Sequence, residues 1–217
     1  MITGIIAINK PVGPTSNDIV QQVKKITGQK VGHAGTLDPL ASGVLVLGIG
    51  REATKKLSEV VKKEKEYVAE IFLGANSTTD DQEGEKTIVE AKNQPTEEQI
   101  VLILKEFVGQ IQQTPPVYSA IKIKGQEAYK LARKGRSVDL KSRPVEIKQI
   151  ELLKYNYPLL KIKVVSGPGV YIRSLARDIG KKLGSGGYLF SLVRTRVGQY
   201  KIEQAKTVEE LKSHANL

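Results

Sequence analysis

The chain has 217 residues, no cysteine, two histidines and a net charge of +11. This length supports a substantial hydrophobic core, while the composition excludes thiolate catalysis, cysteine-bound zinc and a disulfide framework, and the two distant histidines lack metal-ligand spacing. Residues 1–108 carry a net charge of −2, and residues 109–217 carry a net charge of +13. The positive charge of the second half predicts a polyanionic partner. The alternative is a basic protein that has no polyanionic partner.

Strands and helices are predicted to alternate along the chain. The first apolar run is too short, and lacks the basic leader, for a signal peptide or a membrane span, so we expect a soluble, cytoplasmic protein. Ser16 is the predicted N-cap of the first helix and Gly28 its end. Because no repeat or low-complexity segment interrupts the pattern, one mixed α/β (α+β) domain is expected over residues 1–217. The apolar periodicity predicts strands at 3–9, 44–49, 66–74 (covered on both faces), 143–153, 159–167 and 192–200, and helices at 16–27, 96–107, 126–135, 172–183 and 207–214.

The loop GHAGTLDPLASG holds one carboxylate, Asp38, between glycines and directly before a proline. Neither GxxxxGKS/T nor GxGxxG is present, so nucleotide binding is not predicted, and a Ser/His/Asp triad lacks the GxSxG elbow. A glycosidase pair would need Glu52, which we assign to a surface ion pair. Asp38 can cap its own turn, or it can be a reactive group in a cradle, since Gly32, Gly35 and Gly43 let another backbone approach closely.

The stretch GHAGTLDPLASGVLVLGIGREATK resembles the catalytic motif of the bacterial tRNA pseudouridine synthase B (TruB) family. The resemblance continues in order through NKPVGPTSNDIV, KEYVAEIFLG, TTDDQEGE, QTPPVYSAIK, AYKLARKGR and GVYIRSLARDIG. It implies a pseudouridine synthase fold, with a central, largely antiparallel mixed sheet flanked by helices and loops. It also implies that uridine 55 of the tRNA T loop is flipped out, its glycosidic bond to C1′ is broken and the uracil is rejoined through C5.

The same resemblance implies three catalytic residues. Asp38 is the group that assists glycosidic cleavage, either by attacking C1′ or by removing a ribose proton. Tyr67 stacks on the uracil and assists proton loss from C5. Arg173 pairs with Asp38 and keeps it ionised. From the residues alone, a core tyrosine and an exposed helix arginine are the alternative interpretations of Tyr67 and Arg173.

Four further residues are implied to contact or support the substrate. Tyr171 and Leu192 match positions against the flipped nucleotide, where ordinary core packing explains both equally well. His33 matches a histidine that fills the space left by the flipped base, which is a stacking role and not an acid–base role. Lys10, with Pro11, resembles a loop that supports the pocket.

Residues 122–143 contain eight basic and two acidic side chains and resemble the family's RNA-gripping insertion. Such a run is commonly a solvated face, but its positive excess agrees with the charge of the second half, which favours phosphate contact. The implied partner is the T stem-loop of tRNA, which a monomer is expected to bind. No membrane contact, obligatory protein partner, cofactor or metal is expected. The residues assigned to the RNA backbone are Lys122, Lys124, Lys130, Arg133, Lys134 and Arg136.

Two features depart from the family pattern. The run Leu192-Val193-Arg194-Thr195 replaces the common Leu-Arg-Arg-Thr, which removes one RNA or structural contact. The C-terminal PUA domain that family members commonly carry is not recognised, so residues 1–217 are interpreted as a single catalytic domain. Two other hypotheses stay open: a guide-RNA-dependent enzyme of the dyskerin type, and an RNA-binding module or tRNA folding chaperone without turnover.

Overall fold

The computed structural model describes residues 2–90, 93–119, 121–123, 125–132 and 140–215. Within these ranges the chain forms thirteen β-strands and six α-helices. The strands are β1 (Gly4–Lys10), β2 (Val31–Ala34), β3 (Ala41–Ile49), β4 (Lys65–Leu73), β5 (Ala75–Ser77), β6 (Lys86–Ile88), β7 (Gly109–Gln113), β8 (Lys122–Ile123), β9 (Gln126–Glu127), β10 (Arg143–Asn156), β11 (Leu159–Ser166), β12 (Gly187–Val197) and β13 (Tyr200–Lys201). The helices are α1 (Ser16–Thr27), α2 (Arg51–Val61), α3 (Glu97–Glu106), α4 (Ala128–Ala132), α5 (Ile172–Lys182) and α6 (Val208–Ala215).

These elements form two compact units, each built from segments that are distant in sequence. Unit 1 comprises Met1–Val68, Val165–Pro168 and Leu192–Leu217, and unit 2 comprises Ala69–Val164 and Gly169–Ser191. Among the helices of the described ranges, none is long and apolar enough to cross a membrane.

In unit 1, β3 is the central strand of a mixed sheet. β1 pairs antiparallel with β3 along its length, and β2 also pairs antiparallel with it, so that His33 lies opposite Leu47. β12 pairs with β3 in the parallel direction, with Leu192 opposite Ala41 and Arg194 opposite Gly43. The run from Val44 to Ile49 is fully buried, as expected of a strand that is covered on both faces. The short strand β13 pairs antiparallel with β12.

The N-cap of helix α1 lies one residue earlier than the sequence predicts. Thr15 is the N-cap, because its hydroxyl accepts a hydrogen bond from the Asp18 amide while the Asp18 carboxylate accepts one from the Thr15 amide. This reciprocal capping box satisfies two backbone donors at the helix start. The prediction that Ser16 is the cap is therefore wrong, since its hydroxyl is buried and bonds to the backbone of Leu37. Gly28 ends the helix in the left-handed conformation, as predicted.

Helix α2 is a part of unit 1 that the sequence analysis did not predict. It buries Ala53, Leu57 and Val60, at i, i+4 and i+7, which is one face of a helix. Between these positions its residues are charged or polar, so the apolar stripe is narrow. The core that α2 helps to form contains Ala7, Ala34, Val44, Val46, Leu57, Val60 and Val197.

In unit 2 the strands follow the order β12–β4–β11–β10–β7. β7 and β10 pair antiparallel, and α3 and α5 contact one another. The helix predicted at 96–107 is confirmed as α3, which starts with a reciprocal capping box of Thr96 and Gln99. The predicted apolar face of α5 is also confirmed, since Ile172, Leu175 and Ile179 are buried.

Two predictions about single elements are not fully confirmed. In β4 the odd-numbered positions from 65 to 73 are buried and the even-numbered ones are half-buried, so only one face is fully covered, and the expectation of two covered faces is wrong. The helix predicted at 126–135 is α4, and its expected end at Gly135 lies outside the described residues. The predicted mixed α/β fold, a mixed sheet flanked by helices, is confirmed.

Candidate active site

The loop between β2 and β3 carries Asp38 in a half-buried position. Its backbone is anchored on both sides of the carboxylate. Before it, Leu37 is buried and exchanges two hydrogen bonds with the Ser16 hydroxyl at the start of α1, at 2.8 and 2.9 Å. After it, the carbonyl of Pro39 accepts a hydrogen bond of 2.8 Å from the Gly13 amide. The position of Asp38 is therefore fixed by contacts with two other segments of unit 1.

Arg194 of β12 binds this loop from within unit 1. Its side chain is among the largest that are fully buried, with 1% of the residue exposed. Its Nη2 donates to the carbonyl of Gly35 at 3.0 Å and its Nη1 to that of Thr36 at 3.4 Å, while its Nε donates to Val44 at 2.7 Å. One guanidinium thus holds the backbone before Asp38 and the backbone after it. Arg194 is not among the site residues that are predicted from the sequence.

Gly43 explains how the backbone of β12 comes so close to the loop. Its φ is +99°, and a Cβ at this position would lie 2.3 Å from the carbonyl oxygen of Arg194. Any larger residue would push the two strands apart. The expectation that the loop glycines admit another backbone is confirmed at Gly43. At Gly32 the nearest atoms belong to side chains, those of Leu57 and Thr54.

Tyr67 of β4 is buried, and the Arg194 guanidinium and the Asp38 carboxylate both act on its phenol. Burial raises the pKa of Tyr67, and the nearby Asp38 acts in the same direction, whereas the charge of Arg194 lowers it. The net shift is upward, so Tyr67 is a neutral phenol at pH 7. The structure therefore brings Asp38, Tyr67 and Arg194 into one electrostatic cluster.

Lys10, at the end of β1, belongs to the same cluster. It is fully buried, and its Nζ donates to the carbonyls of Pro11 and Pro14, each at 2.8 Å. Burial lowers the pKa of Lys10, while the charge of Asp38 opposes that shift. Lys10 thus holds the turn after β1 and places positive charge near Asp38, which favours a negative charge on that carboxylate.

His33 and Lys65 lie near the same arginine. The Nδ1 atom of His33 is buried and has no hydrogen-bond partner in the described part of the chain. Burial and the charge of Arg194 lower its pKa, so the imidazole is neutral at pH 7. Lys65 is buried and donates to the carbonyls of Val61 and Lys63 at 2.9 and 2.8 Å. Burial first, and then Arg194, lower its pKa to about 8.

Arg194 and Lys65 were missed, although the sequence carried a signal for both. A strand places every second residue on the same face. Lys65 lies two residues from Tyr67 on β4, and Arg194 lies two residues from the buried Leu192 on β12. Each cation therefore shares a strand face with that neighbour. Period two therefore predicts that both cations point to a buried face, where a charged side chain needs partners.

Arg173 of unit 2 is also buried, with 6% of the residue exposed. The alternative interpretation as an exposed helix arginine is therefore wrong. Its Nη1 lies 3.3 Å from the Thr79 carbonyl and 3.4 Å from the Asp81 carboxylate, and its Nη2 donates to the Tyr118 carbonyl at 2.9 Å. The predicted pairing of Arg173 with Asp38 stays a prediction.

Two of the other predicted substrate contacts have defined surroundings. Tyr171 is the N-cap residue of α5, and the Gln113 side chain binds both its amide, at 2.8 Å, and its carbonyl, at 3.1 Å. The Arg143 guanidinium lies 5.4 Å from the centre of the Tyr171 ring. Leu192 of unit 1 is buried and lies opposite Ala41, three residues after Asp38.

The predicted RNA-backbone residues fall in a part of the chain that is described only in part. Lys124, Arg133, Lys134 and Arg136 lie outside the described residues. Lys122 lies in β8 and Lys130 in α4, where the backbone alone is described. Their predicted contact with RNA stays a prediction.

The chemistry available in the cluster around Arg194 is that of the Asp38 carboxylate, the Tyr67 phenol and several buried cations. Within the described ranges, no group of three His, Asp or Glu side chains could hold a metal ion. The half-buried Asp38 can act as a nucleophile or a base, Tyr67 can stack and exchange a hydrogen bond, and Leu37 and Leu40 supply apolar neighbours on either side of Asp38. This arrangement suits cleavage at a sugar carbon next to a planar base.

The chain matches known proteins along nearly its whole length. Residues 23–172 match the N-terminal domain of TruB family pseudouridylate synthases, and residues 173–217 match the C-terminal domain of tRNA pseudouridylate synthase B. The chain is 46% identical over 214 residues to the tRNA pseudouridine synthase B of Parabacteroides distasonis, covering 95% of this chain and 91% of that protein. It is also 46% identical to the protein of the same name from Francisella tularensis, covering 97% of this chain and 70% of the other.

A solved structure shares the fold over nearly the whole chain. The crystal structure of a Cbf5-Nop10-Gar1 complex contains a chain that is 33% identical, with a TM-score of 0.77. The match covers 97% of this chain and 54% of that one, so the chain spans about half the length of this structural relative. The sequence matches, the shared fold and the motif around Asp38 lead to the same conclusion: the chain belongs to the TruB family of pseudouridylate synthases.

Proposed function

We propose that the chain is an isomerase that converts uridine 55 in the T loop of tRNA to pseudouridine. The observation that carries the proposal is the anchored Asp38 loop within a sequence that matches this family from residue 23 to residue 217. Curated relatives at 46% identity are named tRNA pseudouridine synthase B. The net charge of +13 in residues 109–217 supports a polyanionic substrate.

The reaction exchanges one bond for another without a change in mass. The target uridine leaves the loop stack, and Asp38 assists cleavage of the bond between N1 and C1′, by attack on C1′ or by removal of a ribose proton. The detached uracil turns and C5 bonds to C1′. C5 then loses its proton and N1 gains one, so atoms and charges balance. No cofactor is proposed for this sequence of steps.

Unit 1 supplies groups for each stage of this reaction. Tyr67 stacks on the uracil and assists the loss of the C5 proton, and Leu192 forms an apolar wall that excludes water from the reactive sugar. His33, which is neutral because burial and Arg194 lower its pKa, stacks in the space left by the flipped base. Lys10 holds the turn beside Asp38 through two carbonyl contacts.

Unit 2 supplies two further residues in this proposal. Arg173 pairs with Asp38 and keeps the carboxylate ionised, a role that suits a buried guanidinium near the start of a helix. Tyr171 contacts the flipped nucleotide, and its backbone is held in place by Gln113 on both sides.

The T stem-loop is the proposed binding partner, gripped through residues 122–143 by Lys122, Lys124, Lys130, Arg133, Lys134 and Arg136. We further propose that residues 1–217 act as one catalytic domain, as a cytoplasmic monomer that needs no obligatory protein partner. The 46% identity to enzymes named tRNA pseudouridine synthase B, against 33% to the Cbf5 chain, supports the tRNA enzyme over a guide-dependent one.

The test is pseudouridine formation in an unmodified tRNA transcript without guide RNA, mapped to the nucleotide. We expect product at position 55 only, and none in a matched transcript that carries cytidine at that position. Binding that weakens with salt but gives no product would contradict the proposal and favour an RNA-binding module or folding chaperone. Product that appears only when a guide RNA is added would favour the dyskerin-type enzyme.

A further inference from the structure

Arg194 is fully buried in unit 1, and its hydrogen bonds reach the backbone on both sides of Asp38. We propose that Arg194 is a positioning residue of the reaction: it fixes the Asp38 loop next to the Tyr67 phenol, so that the carboxylate and the phenol meet the flipped uridine together. This inference rests on the proposed function and adds a residue to it.

The first support is the way in which the guanidinium spans the loop. It binds the carbonyls of Gly35 at 3.0 Å and Thr36 at 3.4 Å, ahead of Asp38, and that of Val44 at 2.7 Å, after it. The planar, rigid arrangement of its donors sets the distance between these segments. A lysine has one nitrogen and cannot occupy all of these positions at once.

The second support is the electrostatic effect of Arg194 on Tyr67. The positive charge of Arg194 lowers the pKa of the Tyr67 phenol, while burial and the charge of Asp38 raise it. The guanidinium that binds the Asp38 loop therefore also acts on the phenol of Tyr67.

The third support is the lack of freedom in the backbone of Arg194. It lies opposite Gly43 in the parallel pairing of β12 with β3, where an added Cβ would be 2.3 Å from its carbonyl oxygen. The backbone and the side chain of Arg194 thus contact the same loop. A displacement on the order of 1 Å of reacting groups can lower a rate about 100-fold.

The same strand provides a matched control. Arg196 lies two residues further along β12, where its side chain is partly exposed and pairs with Glu64 at 2.7 Å. Arg196→Lys makes the same chemical change as Arg194→Lys, on the same strand, without touching the loop. A difference in kcat between the two variants is therefore due to the position of the arginine and not to the exchange of arginine for lysine.

The experiment measures kcat and KM of Arg194→Lys and Arg196→Lys on a T stem-loop RNA. For Arg194→Lys we expect kcat to fall about 100-fold with KM within about threefold, because the charge is kept and the geometry is lost. Arg196→Lys should retain kcat within about twofold. An unchanged kcat in Arg194→Lys would overturn the proposal.

A spectroscopic readout separates positioning from a general structural role. The chain is labelled with tyrosine carrying ¹³C at Cζ, and the Tyr67 signal is assigned by its loss in Tyr67→Phe. We expect the signal to shift in Arg194→Lys and to stay unchanged in Arg196→Lys. A fall in kcat with an unshifted Tyr67 signal would contradict the link between the two side chains.

Two further outcomes are distinguishable. If Arg194→Lys does not fold, Arg194→Gln is measured in its place. In the intact chain we also expect a contact between protons of the Arg194 guanidinium and of the Tyr67 ring, and the absence of that contact refutes the proposal. If the intact chain makes no pseudouridine, the proposed function fails, and an unshifted Tyr67 signal in Arg194→Lys would refute the link as well.

Discussion

The buried arginines of the two units are held by different partners. In unit 1, Arg194 binds three backbone carbonyls, and the phenol of Tyr67 acts on its pKa. In unit 2, the arginines of α5 have carboxylates among their partners, with Arg173 at 3.4 Å from Asp81 and Arg177 at 2.8 Å from Asp80.

The two sets of partners are accompanied by opposite shifts in the pKa of the arginines. Burial lowers the pKa of Arg194 despite the opposing effects of Tyr67 and Asp38. Burial acts in the same direction on Arg177, but its carboxylate partners outweigh burial and its pKa is raised. A guanidinium that is bound by carbonyls keeps its charge available to act on neighbouring groups, whereas a carboxylate cancels much of it locally. The carbonyl-bound arginine is therefore suited to organise a reactive site.

The largest expected effect comes from separating Arg194 from its loop. Gly43→Ala adds a Cβ that would lie 2.3 Å from the Arg194 carbonyl oxygen at a φ of +99°, so it should lower the free energy of unfolding by about 4 kcal/mol. Gly28→Ala is the control, since it has a φ of +63° but no atom within 4 Å and should cost about 1 kcal/mol. Urea unfolding of both variants checks this, and equal losses would contradict the close approach.

In unit 2 the corresponding test removes the carboxylate of Asp81, the partner of Arg173. Asp81→Asn leaves a buried guanidinium without the negative charge of its 3.4 Å partner, which should destabilise the fold by about 3 kcal/mol. The neighbouring, exposed Glu83→Gln should change stability by less than about 0.5 kcal/mol. Chemical denaturation compares the two, and a neutral Asp81→Asn would show that Asp81 does not compensate this arginine.

A smaller effect is expected from Lys65, beside Arg194. Its folded pKa, about 8, lies below the unfolded value near 10.5, so between these values the unfolded chain binds more protons and stability rises with pH. Relative to Lys65→Met, the intact chain should gain on the order of 2 kcal/mol from pH 7 to pH 10. The exposed Lys62→Met is the control and should follow the intact chain. Parallel curves for the intact chain and Lys65→Met would refute the shift.

The smallest effect concerns Glu52, which the sequence analysis assigned to a surface ion pair. It pairs with Lys55 at 2.9 Å, and the two side chains are 80% and 70% exposed. Glu52→Gln should therefore change the free energy of unfolding by less than about 0.5 kcal/mol and leave pseudouridine formation unaltered. A large loss of either would mean that Glu52 has a role beyond this pair.

Periodicity and capping predicted much of the fold. The helices α1, α3 and α5 and the strands β1, β3, β4, β10, β11 and β12 follow from local signals. Helix α2 was missed because only Ala53, Leu57 and Val60 face the core, among charged neighbours. The prediction of Ser16 as a cap is wrong because its partner, the backbone of Leu37, lies 21 residues away in the chain and leaves no local signal.

The candidate site was predictable only in part. The loop around Asp38 stands out by its glycines, whereas Tyr67 and Lys10 are assigned to the site only through the resemblance to the TruB family. Arg194 did not stand out, because its partners lie about 150 residues earlier, at Gly35, Thr36 and Val44. Period two indicates that an arginine on a strand points inward, but only the folded chain shows which carbonyls it meets.

The most direct test of the central claim compares the intact chain with Asp38→Asn, measuring pseudouridine formation and tRNA affinity on the same transcript. If the Asp38 carboxylate performs the chemistry, product formation should fall by at least about 1,000-fold, while the affinity for tRNA stays within about threefold. Product formation by Asp38→Asn within about tenfold of the intact chain would contradict the account.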